Sequence, residues 1–408
     1  MSYKLLMLPF SRKVITLSIT ATALAAACVG LTGAQPAGAT SQPRFLDWHL
    51  TYKGSQKFQF ETVSAVNQRD AWVAGIYEHT TTAFIWRWNG TRWSSEHVPD
   101  ASGFQPWYSD ESSANDVWFV GYQNTANGQV LRGIRWTASG WKSQPMPAGA
   151  AGFLSLRVLG WNDAWLADSL SCPADSPASE RCSSLLWHWN GHAWQQYSLP
   201  MGITTVTASS ASNVWVAGYT GDGGKTNELR ERFYAYRWTG SGFTKSALPH
   251  TVSIGCIPEI DTTSPSNVWM TTCAVRGKDT GLLLHWNGHT WKHYWNVQGE
   301  WPIIDGKLGV WLDPTMRWTP EGIGFAQIAV QNGTMTFPSV TQVPGTTTLL
   351  AVGLTWTSSP NHAHSYMAIV GGPFGRFKPA LSSDAAATAP AAPLGRVALT
   401  RNGVPSRW

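Results

Sequence analysis

The chain has 408 residues and a formal net charge of +5; charged residues make up only 13% of it, while 25 residues are tryptophan. The small positive excess is spread without a basic run or an Arg/Lys-lined helix, so the electrostatic footprint of a nucleic-acid reader is missing and nucleic acid is excluded as a partner. Each aromatic side chain can bury roughly 150–250 Å², so the material for a core is ample.

Residues 1–39 read as a signal peptide. Lys4, Arg12 and Lys13 precede an apolar run from Val14 to Val29, and Ala37-Gly38-Ala39 offers the small residues of a cleavage site. The pattern predicts a secreted, extracellular protein whose mature chain begins near Thr40. Leu24-Ala25-Ala26-Ala27-Cys28 offers the alternative of a membrane-anchored lipoprotein, the membrane being reached only through a lipid on Cys28. The apolar run is short for a transmembrane helix, which needs about 20 residues.

From residue 40 to 380 one phrase recurs. Asp70-Ala71-Trp72, Asn115-Asp116-Val117-Trp118, Asp163-Ala164-Trp165, Asn213-Val214-Trp215 and Asn267-Val268-Trp269 are followed by the eroded copies Val310-Trp311 and Leu349-Leu350, about 39 to 54 residues apart. Self-similarity at that period predicts an all-β, seven-bladed β-propeller of four-stranded antiparallel blades. Each repeat buries its core only against its neighbours, so 40–380 counts as one domain.

In the first repeat, Glu61–Val66, Ala71–Ile76 and Ala83–Trp88 alternate as strands and a fourth starts at Thr91. Read as a two-residue type I′ turn, Asn89-Gly90 places Trp86 opposite Trp93; likewise Asn190-Gly191 places Trp187 opposite Trp194, and Asn287-Gly288 places Leu284 opposite Trp291. A residue that returns in most blades solves a packing problem common to all of them, so most tryptophans are assigned to the core. Asp70, Asp116 and Asp163 share one turn position and read as turn caps. Arg87, Arg135, His188, Arg237 and His285 each precede the last aromatic of a third strand; a basic track, inter-blade hydrogen bonds and solvated edge positions are the three readings.

Four cysteines follow Cys28. Cys172 with Cys182 and Cys256 with Cys273 is the preferred disulfide pairing, since each pair brackets a loop or turn and suits an oxidising compartment. Their spacings of 10 and 17 lack the C-x-x-C pairs of a zinc site. The connections between second and third strands vary most and are expected to emerge on one face, the predicted binding surface. That face gathers Asp222, Arg230, Arg317, Trp318, Glu321, Trp356, His362 and His364. Trp318 and Trp356 fall outside the repeated aromatic positions and are the expected exposed stacking platforms.

Ser113-Ala114-Asn115-Asp116-Val117-Trp118, followed by Val120-Gly121 and alternating with segments such as His188-Trp189-Asn190-Gly191, resembles a repeat of exported bacterial β-propeller proteins over roughly residues 45–380. Looser similarity extends to Trp-rich tectonin-like and kelch-type propellers. The resemblance implies fold and export and no reaction. Phe45–Thr51 alternates like an extra strand suited to completing the last blade, and 381–408 reads as an Ala/Pro-rich linker and tail.

G-x-S-x-G, H-E-x-x-H and a phosphate-binding glycine loop are absent, and no catalytic residue, cofactor or metal is expected. His362-x-His364 lacks an obvious third ligand, and the loop carboxylates Asp313 and Glu321 are a pair that could supply acid and base for glycoside hydrolysis. The expectation is a monomeric, exported, non-catalytic binding protein for a glycan or cell-surface ligand. A carbohydrate hydrolase or lyase and a protein docking platform are the alternatives.

Overall fold

The structure is a computed structural model. It describes residues 47–370 apart from 54–57, 78–79, 81, 151–154, 169–183, 222–229, 250–251, 255–257, 273–280, 296, 298, 300–301, 306–308, 314–315, 321, 326, 329–333 and 357–363. Cys28 and the four cysteines expected to form disulfides lie outside the described residues, as do Asp222, Glu321 and His362.

All described elements are strands, and they form seven sheets, antiparallel but for one short edge strand. Sheet 1 comprises Phe58–Asn67, Asp70–Tyr77, Thr82–Trp88 and Trp93–Glu96; sheet 2 comprises Phe104–Ser113, Asp116–Thr125, Gly128–Thr137 and Gly140–Gln144. Sheet 3 follows with Ser155–Gly160, Asp163–Asp168, Leu185–Trp189 and Trp194–Ser198. Sheet 4 has Gly202–Ser210, Asn213–Gly221, Arg230–Trp238 and Phe243–Lys245, with Val252–Ile254 added to its third strand. Sheet 5 is Glu259–Ser264, Asn267–Thr272, Leu282–Trp286 and Trp291–Trp295; sheet 6 is Ile303–Ile304, Val310–Asp313, Met316–Thr319 and Gly322–Phe325. Sheet 7 takes Thr334–Gln342, Leu349–Trp356 and His364–Val370 from the end of the described chain and its fourth strand, Asp47–Lys53, from the beginning. The extra strand expected over Phe45–Thr51 is seen as Asp47–Lys53, paired antiparallel with His364–Val370, while Gln327–Ile328 joins its other edge in parallel.

First strands pack against first strands in succession, sheet 1 on 2 through sheet 6 on 7, and sheet 7 returns to sheet 1. Up-and-down sheets arranged around their first strands define a β-propeller. The anchor tryptophans build the seams. Trp72, Trp118, Trp165, Trp215 and Trp269 each leave the second strand of one sheet for an apolar cluster shared with the next. There each meets the third-strand tryptophan of that next sheet: Trp72 with Trp136, Trp118 with Trp189, Trp165 with Trp238, Trp215 with Trp286 and Trp269 with Trp318, at ring-centre distances of 5.0–6.4 Å. Such contacts add ~0.5–1.5 kcal/mol each to the area buried. Leu350, at the eroded anchor of sheet 7, does the same against Val63 and Phe84 of sheet 1.

The turn register differs from the sequence reading. Trp88 faces Trp93, Trp189 faces Trp194 and Trp286 faces Trp291, while Trp86, Trp187 and Leu284 face Ser95, Gln196 and His293. The turn holds four residues, because Asn89 Oδ1 accepts the N–H groups of Thr91 and Arg92, both at 3.0 Å, and Asn190 and Asn287 cap their own turns likewise. An asparagine that caps its own loop competes with the two-residue turn.

Candidate functional site

The periodic basic residues and carboxylates pair with each other inside sheets 1, 2 and 3. Arg87 Nη2 donates to Asp70 Oδ2 at 2.7 Å, Arg135 Nε to Asp116 Oδ1 at 2.5 Å, and His188 Nε2 meets Asp163 Oδ1 at 2.9 Å. In sheet 5 the partners are His285 and Asn267, 3.1 Å apart. Burial first and Lys292 second push His285 below its ordinary range, so a neutral imidazole faces a neutral amide there. The same side chain also lies on the anchor tryptophan: His188 stacks on Trp165 at 4.1 Å and His285 on Trp269 at 3.9 Å, with Arg87, Arg135 and Arg237 over Trp72, Trp118 and Trp215 at 4.9–5.7 Å. Neither a basic track nor simple turn capping describes these positions. Asp116 shows the full pattern, with Trp118 Nε1 and Arg135 Nε on one oxygen and the Ser112 hydroxyl on the other.

Arg317 and Trp318 belong to this series. Trp318 faces Val310 as Trp88 faces Ala71, it is 7% exposed, and it packs on Trp269 at 5.0 Å and Tyr294 at 4.5 Å. It is core, contrary to its expected role as an exposed platform. Met316–Thr319 is the third strand of a short sheet, joined to the second by a tight hairpin in which Asp313 faces Met316, rather than part of a long loop. Arg317 pairs with Asp305, which is four residues upstream of the usual carboxylate position. Gly309 stands at that position, and a Cβ on it would collide with both partners. Trp356 ends the second strand of sheet 7 and His364 opens its third; Arg230 opens the third strand of sheet 4.

An aromatic does stand exposed at the opposite ends of the strands. The first-to-second-strand turns carry Gln68, Ala114, Ala211 and Pro265 in sheets 1, 2, 4 and 5, and Trp161 in sheet 3. Trp161 is 48% exposed. One face of its indole is covered by the Arg135 guanidinium of sheet 2, 3.6 Å from the ring centre, and Arg135 Nη1 donates to the Trp161 carbonyl at 3.1 Å. The turn is braced from behind: Gly191 sits at φ 92°, and a Cβ there would lie 2.3 Å from Asn162 Oδ1.

Trp161 forms one wall of a cleft of about 460 Å³ between sheets 2 and 3. The other walls are the turn residues Ser113 and Asn115 and the hairpin residues Thr137 and Ser139, with Asp116 at the base. Asp116 and Arg135, at 4% and 5% side-chain exposure, neutralise each other, so the cleft offers hydroxyls, an amide and an indole face but no free charge. The site escaped the sequence reading because Trp161 lies two residues before the Asp163-Ala164-Trp165 anchor; comparing the turn residue across repeats was the signal that could have found it.

A second polar feature lies on the first strands, around the axis. Ala65 N donates to Glu111, Val158 N to Asp110, Arg157 Nε to the Ala208 carbonyl, Thr207 Oγ1 to Asp261 and Ile304 N to Asp261, so side chains stitch sheets 1 to 6 in succession. Burial, reinforced by the Asp110 charge, pushes Glu111 up to about 8 against the pull of Ser64, Arg157 and the Ala65 N–H. Asp110 is also raised by burial, while Arg157 and two backbone N–H groups oppose the shift. The Asp110 charge in turn raises Arg157.

No protein-family model matches the chain, and no curated protein matches it. Among solved structures it is similar to YCF48 bound to D1 peptide, at 11% identity over 81% of this chain and 97% of that one, with a TM-score of 0.44. It is also similar to SapL1 lectin in complex with alpha methyl fucoside, at 11% identity, 79% and 98% coverage and TM-score 0.38. A third is the fungal Aleuria aurantia lectin, a six-bladed β-propeller, at 14% identity, 80% and 100% coverage and TM-score 0.39.

Proposed function

We propose that the chain is an exported, seven-bladed β-propeller that binds a neutral glycan or glycoconjugate, without turning it over, in the cleft between sheets 2 and 3. The observation that carries this reading is Trp161, an exposed indole held flat by a buried arginine above a wall of uncharged hydroxyl and amide groups. The apolar face of a pyranose stacks on an indole, while its hydroxyls exchange hydrogen bonds with groups such as Ser113, Asn115 and Ser139. The platform is fixed before the ligand arrives, which lowers the ordering cost of binding. The seven sheets and the succession of first-strand contacts support the count of seven blades. Export rests on the signal-like residues 1–39, and the two disulfides rest on cysteine spacing.

Hydrolysis or elimination on a carbohydrate is the weaker reading. It has Asp110 and Glu111 to draw on, but both accept backbone N–H groups from neighbouring sheets, a use that favours a structural role. The test is a glycan array probed with the purified chain and Trp161→Ala side by side. Saturable binding to a neutral glycan class, lost in the variant at unchanged melting temperature, supports the proposal. Equal binding by the variant, or release of shortened glycans, overturns it.

A further inference from the structure

The third strand of sheet 4 runs well past its fourth. Phe243–Lys245 covers the outer edge from Tyr236 to Trp238, and Val252–Ile254, returning from the same connection, pairs antiparallel with Arg230–Arg232. Sheet 2 starts from the same plan. Arg135 and Arg237 both face the anchor tryptophan, and counting back from them sets Gly128, Gln129 and Val130 where sheet 4 has Arg230, Glu231 and Arg232. The fourth strand of sheet 2 ends at Gln144 opposite Gly133, and among the described residues no strand continues along the outer edge beyond it.

The sequence accounts for the difference. The chain leaves sheet 2 through Pro145-Met146-Pro147, in which two of three residues have no N–H to give to a ladder. The Pro145 carbonyl accepts the Trp194 indole N–H of sheet 3 at 2.7 Å, and the Met146 sulfur fills the space a Cβ at Gly133 would need. The connection is thus drawn toward sheet 3 instead of back along the third strand. Gly128, Gln129 and Val130 are left exposed, Val130 at 48%, while their inner edge stays paired with Gln123–Thr125.

We infer that the outer edge of Gly128–Arg132 docks an extended peptide segment of a partner protein, added as an antiparallel strand. Its chemistry follows from the strand that covers the equivalent edge of sheet 4, where Val252 faces Arg232, Ser253 faces Glu231 and Ile254 faces Arg230. A β-branched residue opposite Val130 and a small polar residue opposite Gln129 fit, and because sheet 2 has no charge at these two positions, the partner strand needs none. Main-chain groups supply the affinity and alternate side chains the selectivity. This edge lies at the opposite end of the third strand from the Trp161 cleft, so the two sites can be occupied independently.

The test titrates the synthetic peptide Thr-Val-Ser-Ile-Gly into the full chain, methyl-labelled at valine and leucine, and follows Val130 and Leu131 by NMR. Two control peptides carry backbone N-methyl groups, one on Val and Ile, the other on Ser and Gly; only one of these sets can face the edge. Saturable shifts at Val130 and Leu131 in the millimolar range, roughly −4 kcal/mol, abolished by one control and retained by the other, are expected. No shift by about 5 mM, equal binding of both controls, or shifts confined to other methyl groups overturns the inference. Self-association that perturbs Val130 without peptide also overturns it, making a second copy the occupant.

Discussion

The junction between sheets 1 and 2 and the junction between sheets 2 and 3 are built from the same parts and end differently. Both carry an Arg–Asp pair lying on an anchor tryptophan, and both have a first-strand carboxylate accepting a backbone N–H across the seam. At the first junction Arg87 is 25% exposed, leans on Trp136 at 5.6 Å, and the adjacent turn offers only Ala114. At the second, Arg135 is 5% exposed and clamps Trp161 by both ring and carbonyl. One aromatic in a two-residue turn converts a packing motif into a platform. The scaffold pair is common to several sheets, and the turn residue is what makes one seam distinct.

The most direct way to break the comparison is to remove the carboxylates. Asp116→Ala leaves a guanidinium buried without its partner and is expected to cost about 3–5 kcal/mol. Asp70→Ala, beside a more exposed arginine, should cost about 1.5–3 kcal/mol, and Asp163→Ala, facing His188 with both side chains 21% exposed, about 1 kcal/mol or less. Chemical denaturation of the three variants checks this order, and equal losses would show that burial does not set the worth of the pair.

The pH dependence probes the inner end of the first junction. Glu111 titrates near 8 in the folded chain and near 4.5 when unfolded, so the folded state holds the extra proton between those values. Its contribution is complete below about pH 4.5 and is lost as pH rises through about 8, with a slope of up to ~1.4 kcal/mol per pH unit. Glu111→Gln, which keeps an acceptor for Ala65 N–H, should flatten that decline and raise the melting temperature at pH 9. A variant that melts in parallel with the parent at every pH would assign the dependence elsewhere. Smallest in energy is Trp161→Ala: stability should change little, while loss of a ring contact worth up to ~1.5 kcal/mol weakens glycan binding about tenfold, measurable by calorimetry.

The repeat was legible in the sequence because Trp72, Trp118, Trp165, Trp215 and Trp269 solve one packing problem at every seam, and such residues return at a fixed period. What was not legible came from short elements and from side chains that compete with backbone rules. Asn89 capping its own loop shifted the hairpin register by two residues, and the abbreviated strands of sheet 6 disguised Trp318 as a loop residue. The pairing of Arg87 with Asp70 joins residues 17 apart across two neighbouring strands, a relation that a turn-cap reading of the aspartate alone conceals. Trp161 was hidden by its nearness to an anchor, since a tryptophan beside a tryptophan reads as more of the same core.

The fourth strand of sheet 7 has a consequence for how the chain comes to be folded. Trp48 is hydrogen-bonded into register with Val370, some 320 residues later. During synthesis this strand emerges before any of the sheets and waits for its partner until nearly all of them exist, so the circuit closes last and pays the loop-closure cost of the whole ring. Until then two strand edges stand open at once, and the interval before closure is when the nascent protein is most exposed to aggregation.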